Sequence, residues 1–211
     1  LIELILRNNL SMTSPDRLLA TLMAVKYVCN SEIEGDFVEC GVWRGGNSII
    51  ALNVLNNYGS EKSIWMYDTY KGMTKPTKFD FENASGKYAE EEYNENLEKD
   101  YNNWCYASLE DVKKNVKPHR KNIDVKYIVG DILDTLNNDK NIPDRISVLR
   151  LDTDWYESTK KELEILYPRL SKGGVILVDD YGHWGGCKKA VDEYFDKSGR
   201  KPLFIPSDYT G

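Results

Sequence analysis

Apolar residues along this chain fall into short compact runs separated by longer stretches with helical spacing. Leu18, Leu19, Leu22, Met23, Val25 and Val28 recur at the intervals of an amphipathic helix. Ser14-Pro15-Asp16 supplies its start, a cap residue followed by proline at the first helical position. Residues 2–10 read as a shorter amphipathic helix ahead of it, so residues 1–34 form an N-terminal helical segment. Strands are expected at 37–41, at 63–67 ending on Asp68, at 127–129 ending on Gly130-Asp131, at 146–151 and at 175–178. Helices are expected between them at 47–57, 108–116, 158–170 and 187–197. Strands alternating with helices predict an α/β domain with a mostly parallel sheet covered on both faces.

Two stretches break this rhythm. Residues 71–105 are polar, carry Glu90-Glu91-Glu92 and many Asn, Tyr and Lys, and are too long for an ordinary connection. Tyr88, Tyr93, Tyr101 and Trp104 argue against disorder, so a partly helical lid or insertion is expected there. Residues 202–206 read as a further strand. The chain opens at Leu1 without an initiator Met and stops at Gly211 where another strand would begin, so further segments are expected beyond its ends.

Composition narrows the class. A length of 211 residues suits a single domain, residues 1–211, with a full core. A net charge of −6 argues against a nucleic-acid platform, which usually presents a basic face. Cys29, Cys40, Cys105 and Cys187 are scattered and form no CxxC pair, which favours buried free thiols in a reducing compartment. No secretory signal or membrane-length apolar run stands in the sequence, so a soluble cytoplasmic protein without membrane partners is expected. The N-terminal helices offer a surface for homo-oligomer formation without fixing a stoichiometry.

The chemistry concentrates at the strand ends. In an open parallel sheet these ends share one edge, where ligands bind. The 146–151 run is followed by Asp152 and Asp154, and the 175–178 run by Asp179 and Asp180. Crowded carboxylates repel unless a cation or proton compensates them, so these four aspartates point to a hard-metal site. The competing roles are turn capping by Asp179 and Asp180, and helix capping by Asp154. Between the first strand and its helix, Gly41, Gly45 and Gly46 allow close backbone approach to a ligand, with Asn47 and Ser48 at the helix start. Glu39 just ahead of this turn is a poor partner for phosphate and a good one for a cationic ligand. Asp68 stands where a carboxylate accepts from ribose hydroxyls, and Gly130-Asp131-Ile132 could border a purine. Together these make a nucleoside-sized site.

GDFVECGVWRGGNS, YDTYKGM, RLDTDWYEST, GGVILVDDY and the opening MTSPDRLL together resemble the macrocin O-methyltransferase family, and the motifs fall in order from Met12 to roughly Tyr209. The resemblance implies a Rossmann-like class I methyltransferase that uses S-adenosylmethionine and Mg²⁺ to methylate a hydroxyl, on a sugar of a glycosylated natural product or sugar nucleotide. It places Glu39, Gly41, Asn47 and Ser48 around the methionine part of the cofactor, Asp68 on the ribose, and Gly130, Asp131 and Ile132 at the adenine. It makes Asp152, Asp179 and Asp180 the metal ligands and Asp154 the general base, with His183 the alternative base. Tyr70, Tyr181 and Trp184 would flank the crevice, while His119 reads as a surface residue. Residues 71–105 match no motif of the family, and its last strand is expected to be cut short after Gly211. The rival functions are a catechol-type O-methyltransferase acting on an aromatic vicinal diol and a non-catalytic nucleoside-binding module.

Overall fold

A computed structural model describes residues 1–199 and 202–211. The N-terminal segment forms helices α1 (Ile2–Arg7) and α2 (Pro15–Asn30). The Ser14 hydroxyl accepts from Arg17 N at 3.3 Å, and Pro15 occupies the first turn of α2, as the capping signal predicts. The chain then runs through β1 (Asp36–Cys40), α3 (Gly46–Tyr58), β2 (Ile64–Asp68), α4 (Ala89–Glu95) and α5 (Leu109–Arg120). It continues through β3 (Val125–Val129), α6 (Ile132–Thr135), β4 (Ile146–Leu151), α7 (Tyr156–Ile165), β5 (Leu170–Val178) and α8 (Gly185–Ser198).

The five strands make one parallel sheet in the order β3-β2-β1-β4-β5. Both faces are covered, which is why the strands read as near-continuous apolar runs rather than alternating ones. Phe37, Ile64, Met66 and Val148 point to one core, filled by α1, α2, α3 and α5. Val38, Trp65, Tyr67 and Leu149 point to the other, filled by α7 and α8. The chain builds outward from β1 to β3 and then crosses back to β4 on the opposite side. That reversal between β1 and β4 opens a crevice at the carboxyl ends of these strands.

Several elements differ from the sequence expectation. Helix α7 stops at Ile165 because Pro168 follows in a short 3₁₀ turn, Tyr167–Arg169. Strand β5 then starts at Leu170, ahead of the expected 175, and its polar, glycine-bearing first half hides it from a search for apolar runs. The small helix α6, capped by Asp131 through Leu133 N at 2.9 Å, was not expected. The strand expected at 202–206 is absent. Leu203 and Ile205 are 86% and 77% exposed, and Phe204 stacks on Tyr181 with ring centroids 5.3 Å apart. An apolar run makes no strand without a neighbour to pair with, and the described sheet ends at β5.

Residues 71–105 contain α4 and three isolated bridges involving Phe81, Glu82 and Leu97. The segment is tied to the body of the domain. Trp155 Nε1 donates to Thr74 O at 2.9 Å, Gly185 N to Phe81 O at 2.8 Å and Asn83 N to His183 O at 2.8 Å. Among the described residues no helix is long and apolar enough to cross a membrane.

Candidate functional site at the strand ends

A cavity of about 420 Å³ opens at the carboxyl edge of the sheet. Glu39, Gly41, Asn47 and Asp68 line it from β1, β2 and the turn into α3, and Gly130, Asp131 and Ile132 from the end of β3. Asp152, Asp154, Asp179, Asp180 and His183 line it from the ends of β4 and β5. Ser48 is the exception among the expected site residues: it is fully buried, does not line the cavity and donates its hydroxyl to Glu39.

The turn after β1 is shaped by backbone demands. Gly41 has φ 82°, and a Cβ there would lie 1.8 Å from Asp152 O. Only glycine fits so close a passage between two strand ends. Asp68 braces the same turn, accepting from Val42 N at 2.7 Å, Trp43 N at 3.1 Å and Tyr70 N at 2.7 Å. Burial pushes its carboxyl up, and these three donors oppose the shift. Asp68 therefore organises the loop as well as facing the cavity. Asn47 is likewise engaged, accepting from Thr21 Oγ1 at 2.8 Å and donating to Thr13 Oγ1 at 3.3 Å.

Beneath the acidic edge sits Arg150, 1% exposed and next to the last residue of β4. Its guanidinium donates to Glu39 at 3.2 Å, to Asp152 at 2.5 Å, to Thr13 Oγ1 at 3.2 Å and to Asp179. Despite burial its pKa is raised, because Asp152, Asp179 and Glu39 surround it. Glu39 therefore has an internal cationic partner, which the sequence assigned to a ligand instead. Burial still pushes the Glu39 carboxyl up to about 7, against Arg150 and Ser48. A second cation, Arg17 of α2, bonds Asp179 and reaches Asp208 at 2.9 Å, joining the first long helix and the C-terminal loop at the cavity. Ser14 Oγ also donates to Asp208, at 2.5 Å.

Two arginines do not balance the acids. Asp152, Asp179 and Asp180 each offer a ligand oxygen, and these atoms lie within 4.8 Å of one another. Asp180 is 7% exposed, and its Oδ2 is buried with no hydrogen-bond partner. Burial, with neighbouring acids adding to it, holds the Asp152, Asp154 and Asp180 carboxyls well above their ordinary range. An unpartnered buried oxygen in a three-carboxylate cluster fits an oxygen-seeking divalent cation.

Asp154 adopts φ 65°, unusual for a residue other than glycine, and lines the cavity. It does not cap α7: the N-cap is Trp155, with no side-chain cap bond. The α7 terminus is served from the 71–105 segment, where Asp80 accepts from Tyr156 N at 2.8 Å while its other oxygen accepts from Thr77 N at 2.6 Å. Nor do the Asp179 and Asp180 side chains make the turn that follows them. The Asp180 backbone carbonyl does, accepting from His183 N at 3.1 Å and Trp184 N at 3.0 Å.

Trp104, Trp184 and Tyr209 add aromatic surface to the wall, and Trp155 backs two of them. Trp155 packs edge-on to Trp184 at 4.9 Å and beside Trp104 at 5.6 Å. His183 stands edge-on to Trp184 at 4.7 Å and to Tyr209 at 6.1 Å. Of the expected flanking aromatics, Trp184 lines the cavity, whereas Tyr70 and Tyr181 do not. His119 lies away from the site, half-buried, with Nδ1 3.1 Å from Asn53 Nδ2. All four cysteines are free; Cys40 and Cys187 are buried, Cys29 and Cys105 half-buried, and Cys105 lines the cavity. Arg150, Arg17 and Asp80 escaped the sequence reading. A lone arginine inside an otherwise apolar strand was the available signal for the first; no local signal marks the other two.

Comparison with known proteins places this architecture. The family described as Macrocin-O-methyltransferase (TylF) matches residues 7–210. The chain is 34% identical over 189 residues to the 8-demethyl-8-(2,3-dimethoxy-alpha-L-rhamnosyl)-tetracenomycin-C 4'-O-methyltransferase of Streptomyces olivaceus, covering 89% of this chain and 68% of that one. It is 33% identical over 182 residues to the mycinamicin III 3''-O-methyltransferase of Micromonospora griseorubida, covering 85% of this chain and 67% of that one. The chain thus spans about two thirds of the length of these relatives. Among solved structures, the O-methyltransferase NovP superposes with a TM-score of 0.81 at 30% identity, over 95% of this chain and 79% of its own.

Proposed function

Because the chain belongs to the macrocin-O-methyltransferase family and is an O-methyltransferase, we propose that it moves the methyl group of S-adenosylmethionine to a sugar hydroxyl of a glycosylated small molecule, with Mg²⁺ held by Asp152, Asp179 and Asp180. The observation that carries the cation is the cluster of three carboxylates within 4.8 Å, one of whose buried oxygens has no partner. The sugar acceptor is supported by the relatives named above, which methylate the 4' or 3'' oxygen of glycosylated compounds.

The transfer is an in-line displacement. The acceptor oxygen bonds to the methyl carbon as the carbon–sulfur bond breaks, the sulfonium becomes a neutral thioether, and the hydroxyl proton goes to a base. A sugar hydroxyl is almost wholly protonated at neutral pH, so the site must favour its oxyanion. When bound, the cation supplies Lewis-acid stabilisation of that oxyanion and fixes its orientation. The chain's own residues do the rest. Asp154 faces the cavity beside the cluster and takes the proton, with His183 the other candidate. Gly41 and the amides braced by Asp68 bring backbone close to the donor, and Asp131 with Ile132 borders its adenine. Trp184 and Trp104 exclude water from the acceptor side. Positioning of this kind can supply about 7–11 kcal/mol of the barrier reduction.

The test is mass spectrometry of the protein with S-adenosylmethionine and Mg²⁺ against glycosylated natural products, sugar nucleotides and simple catechols. Gain of one methyl on a glycoside sugar, abolished by a chelator and restored by Mg²⁺, is the expected result. Methylation of catechols alone would transfer the assignment to a catechol-type enzyme. Cofactor binding without product on any acceptor would reduce the site to nucleoside binding.

A further inference from the structure

Glu162 lies on α7, is fully buried, and serves neither as a cavity wall nor as half of a salt bridge among the described residues. Its Oε1 accepts from Thr153 Oγ1 at 2.8 Å, and its Oε2 is buried with no partner. Burial pushes this carboxyl up to about 8, so near neutrality it is held largely in the protonated form. A buried carboxyl with one unsatisfied oxygen is destabilising on its own account.

What it holds is the residue between two acids of the site. Thr153 separates Asp152 from Asp154, and it is gripped at two points. Its hydroxyl donates to Glu162, and its carbonyl accepts from Trp155 N at 2.7 Å and Ser158 Oγ at 3.2 Å. Both grips come from the start and inner face of α7. Between them the chain must place Asp154 at its left-handed φ of 65°, a conformation that persists only when surroundings enforce it. We propose that Glu162 is a positioning residue: through Thr153 it fixes the loop that aims Asp152 and Asp154 into the cavity. The effect on chemistry rests on the cation and base roles proposed above; the effect on the loop does not.

The experiment uses Thr153→Val, Glu162→Leu and Glu162→Gln. Three quantities are read: amide exchange across residues 152–156, Mn²⁺ affinity by electron paramagnetic resonance, and S-adenosylhomocysteine affinity by calorimetry. Thr153→Val removes the donor at little change of shape, and Glu162→Leu removes the acceptor. Both should speed loop exchange and weaken Mn²⁺ about tenfold, the usual scale for loss of an outer-shell partner, leaving the nucleoside affinity unchanged. Glu162→Gln keeps an acceptor oxygen and should restore both readings. If Glu162→Leu fails to fold, Thr153→Val, at a half-exposed position, still decides. Loop exchange in Thr153→Val no faster than in the wild type overturns the proposal, as does unchanged Mn²⁺ affinity in a variant whose wild type binds the ion. Absence of Mn²⁺ binding in the wild type sinks the cation reading instead, and loop exchange then judges Glu162 alone.

Discussion

The Arg150 guanidinium lies 3.2 Å from the Glu39 carboxylate on the adjacent strand, and both side chains are 1% exposed. The two residues are direct register partners of β1 and β4. The same guanidinium carries Asp152 and Asp179, so one buried cation bridges three acids at the floor of the cavity.

Removing that cation strands three acids. Arg150→Met should lower stability by about 3–5 kcal/mol, the cost of leaving buried charge uncompensated. The loss should show as a lower urea midpoint at unchanged slope. Glu39→Gln keeps a hydrogen-bond acceptor and should cost clearly less. Equal losses would mean that the strand pair, rather than the hub, matters.

Asp180 is the cleanest probe of the cation. Asp179→Asn also loosens Arg17 and Arg150, mixing charge with architecture, whereas Asp180 Oδ2 has no protein partner to lose. Asp180→Asn should weaken Mg²⁺ by more than the roughly 10–100-fold that follows loss of an outer partner. S-adenosylhomocysteine affinity, measured by calorimetry, should stay within about twofold if the two subsites are separate. Parallel loss of both affinities would contradict that partition.

For the base, Asp154→Asn should lower kcat by about 10²–10⁴-fold with little change in KM for the acceptor. Steady-state kinetics on any accepted glycoside checks this. Wild-type turnover in the variant, with the loss appearing in His183→Ala instead, would move the proton-accepting role to the imidazole.

Glu162 gives a pH signature with a fixed sign. Its carboxyl titrates near 4.5 in a model peptide and about 8 in the fold. Between these values the folded state holds a proton that the unfolded state has released. Its stabilising contribution is therefore complete below about 4.5 and is lost as pH rises toward about 8. The stability of wild type relative to Glu162→Gln, from urea melts in a pH series, should fall across that window and flatten above it. A flat difference would show an ordinary carboxyl.

Asp80→Ala should cost at least the roughly 0.5–2 kcal/mol of a lost helix cap, because Asp80 is fully buried and also holds Thr77. Differential scanning calorimetry reads the loss. Limited proteolysis should find new cleavage within 71–105 ahead of any in the sheet.

Much of this architecture is legible in the chain. Carboxylates that directly follow buried apolar runs mark the ends of β4 and β5, because a strand covered on both faces tolerates charge only where it emerges. The glycine turn is legible because Gly41 and Gly45 need positive φ. What escapes is partnership at a distance. Asp80 caps a helix that begins 76 residues later, and nothing local to Asp80 announces it. Arg150 sits in ISVLRL, where its charge signals a buried hub only once strand pairing is known. Residues 202–206 fail in the opposite sense: the apolar run Leu203-Phe204-Ile205 is real, but no neighbouring ladder receives it.

The tight passage at Gly41 has a last consequence. Asp152 N donates to Cys40 O at 2.8 Å, and there is no room for even a methyl group between this turn and the Asp152 carbonyl. The loop proposed to cradle the sulfonium and the loop proposed to ligate the ion are thus welded at the main chain. Reach between leaving sulfur and incoming oxygen is then a constant of the scaffold, which side-chain replacement cannot stretch. Diversity in which hydroxyl is modified must arise farther out, among cavity-lining residues of the 71–105 segment such as Met73, Glu92 and Trp104.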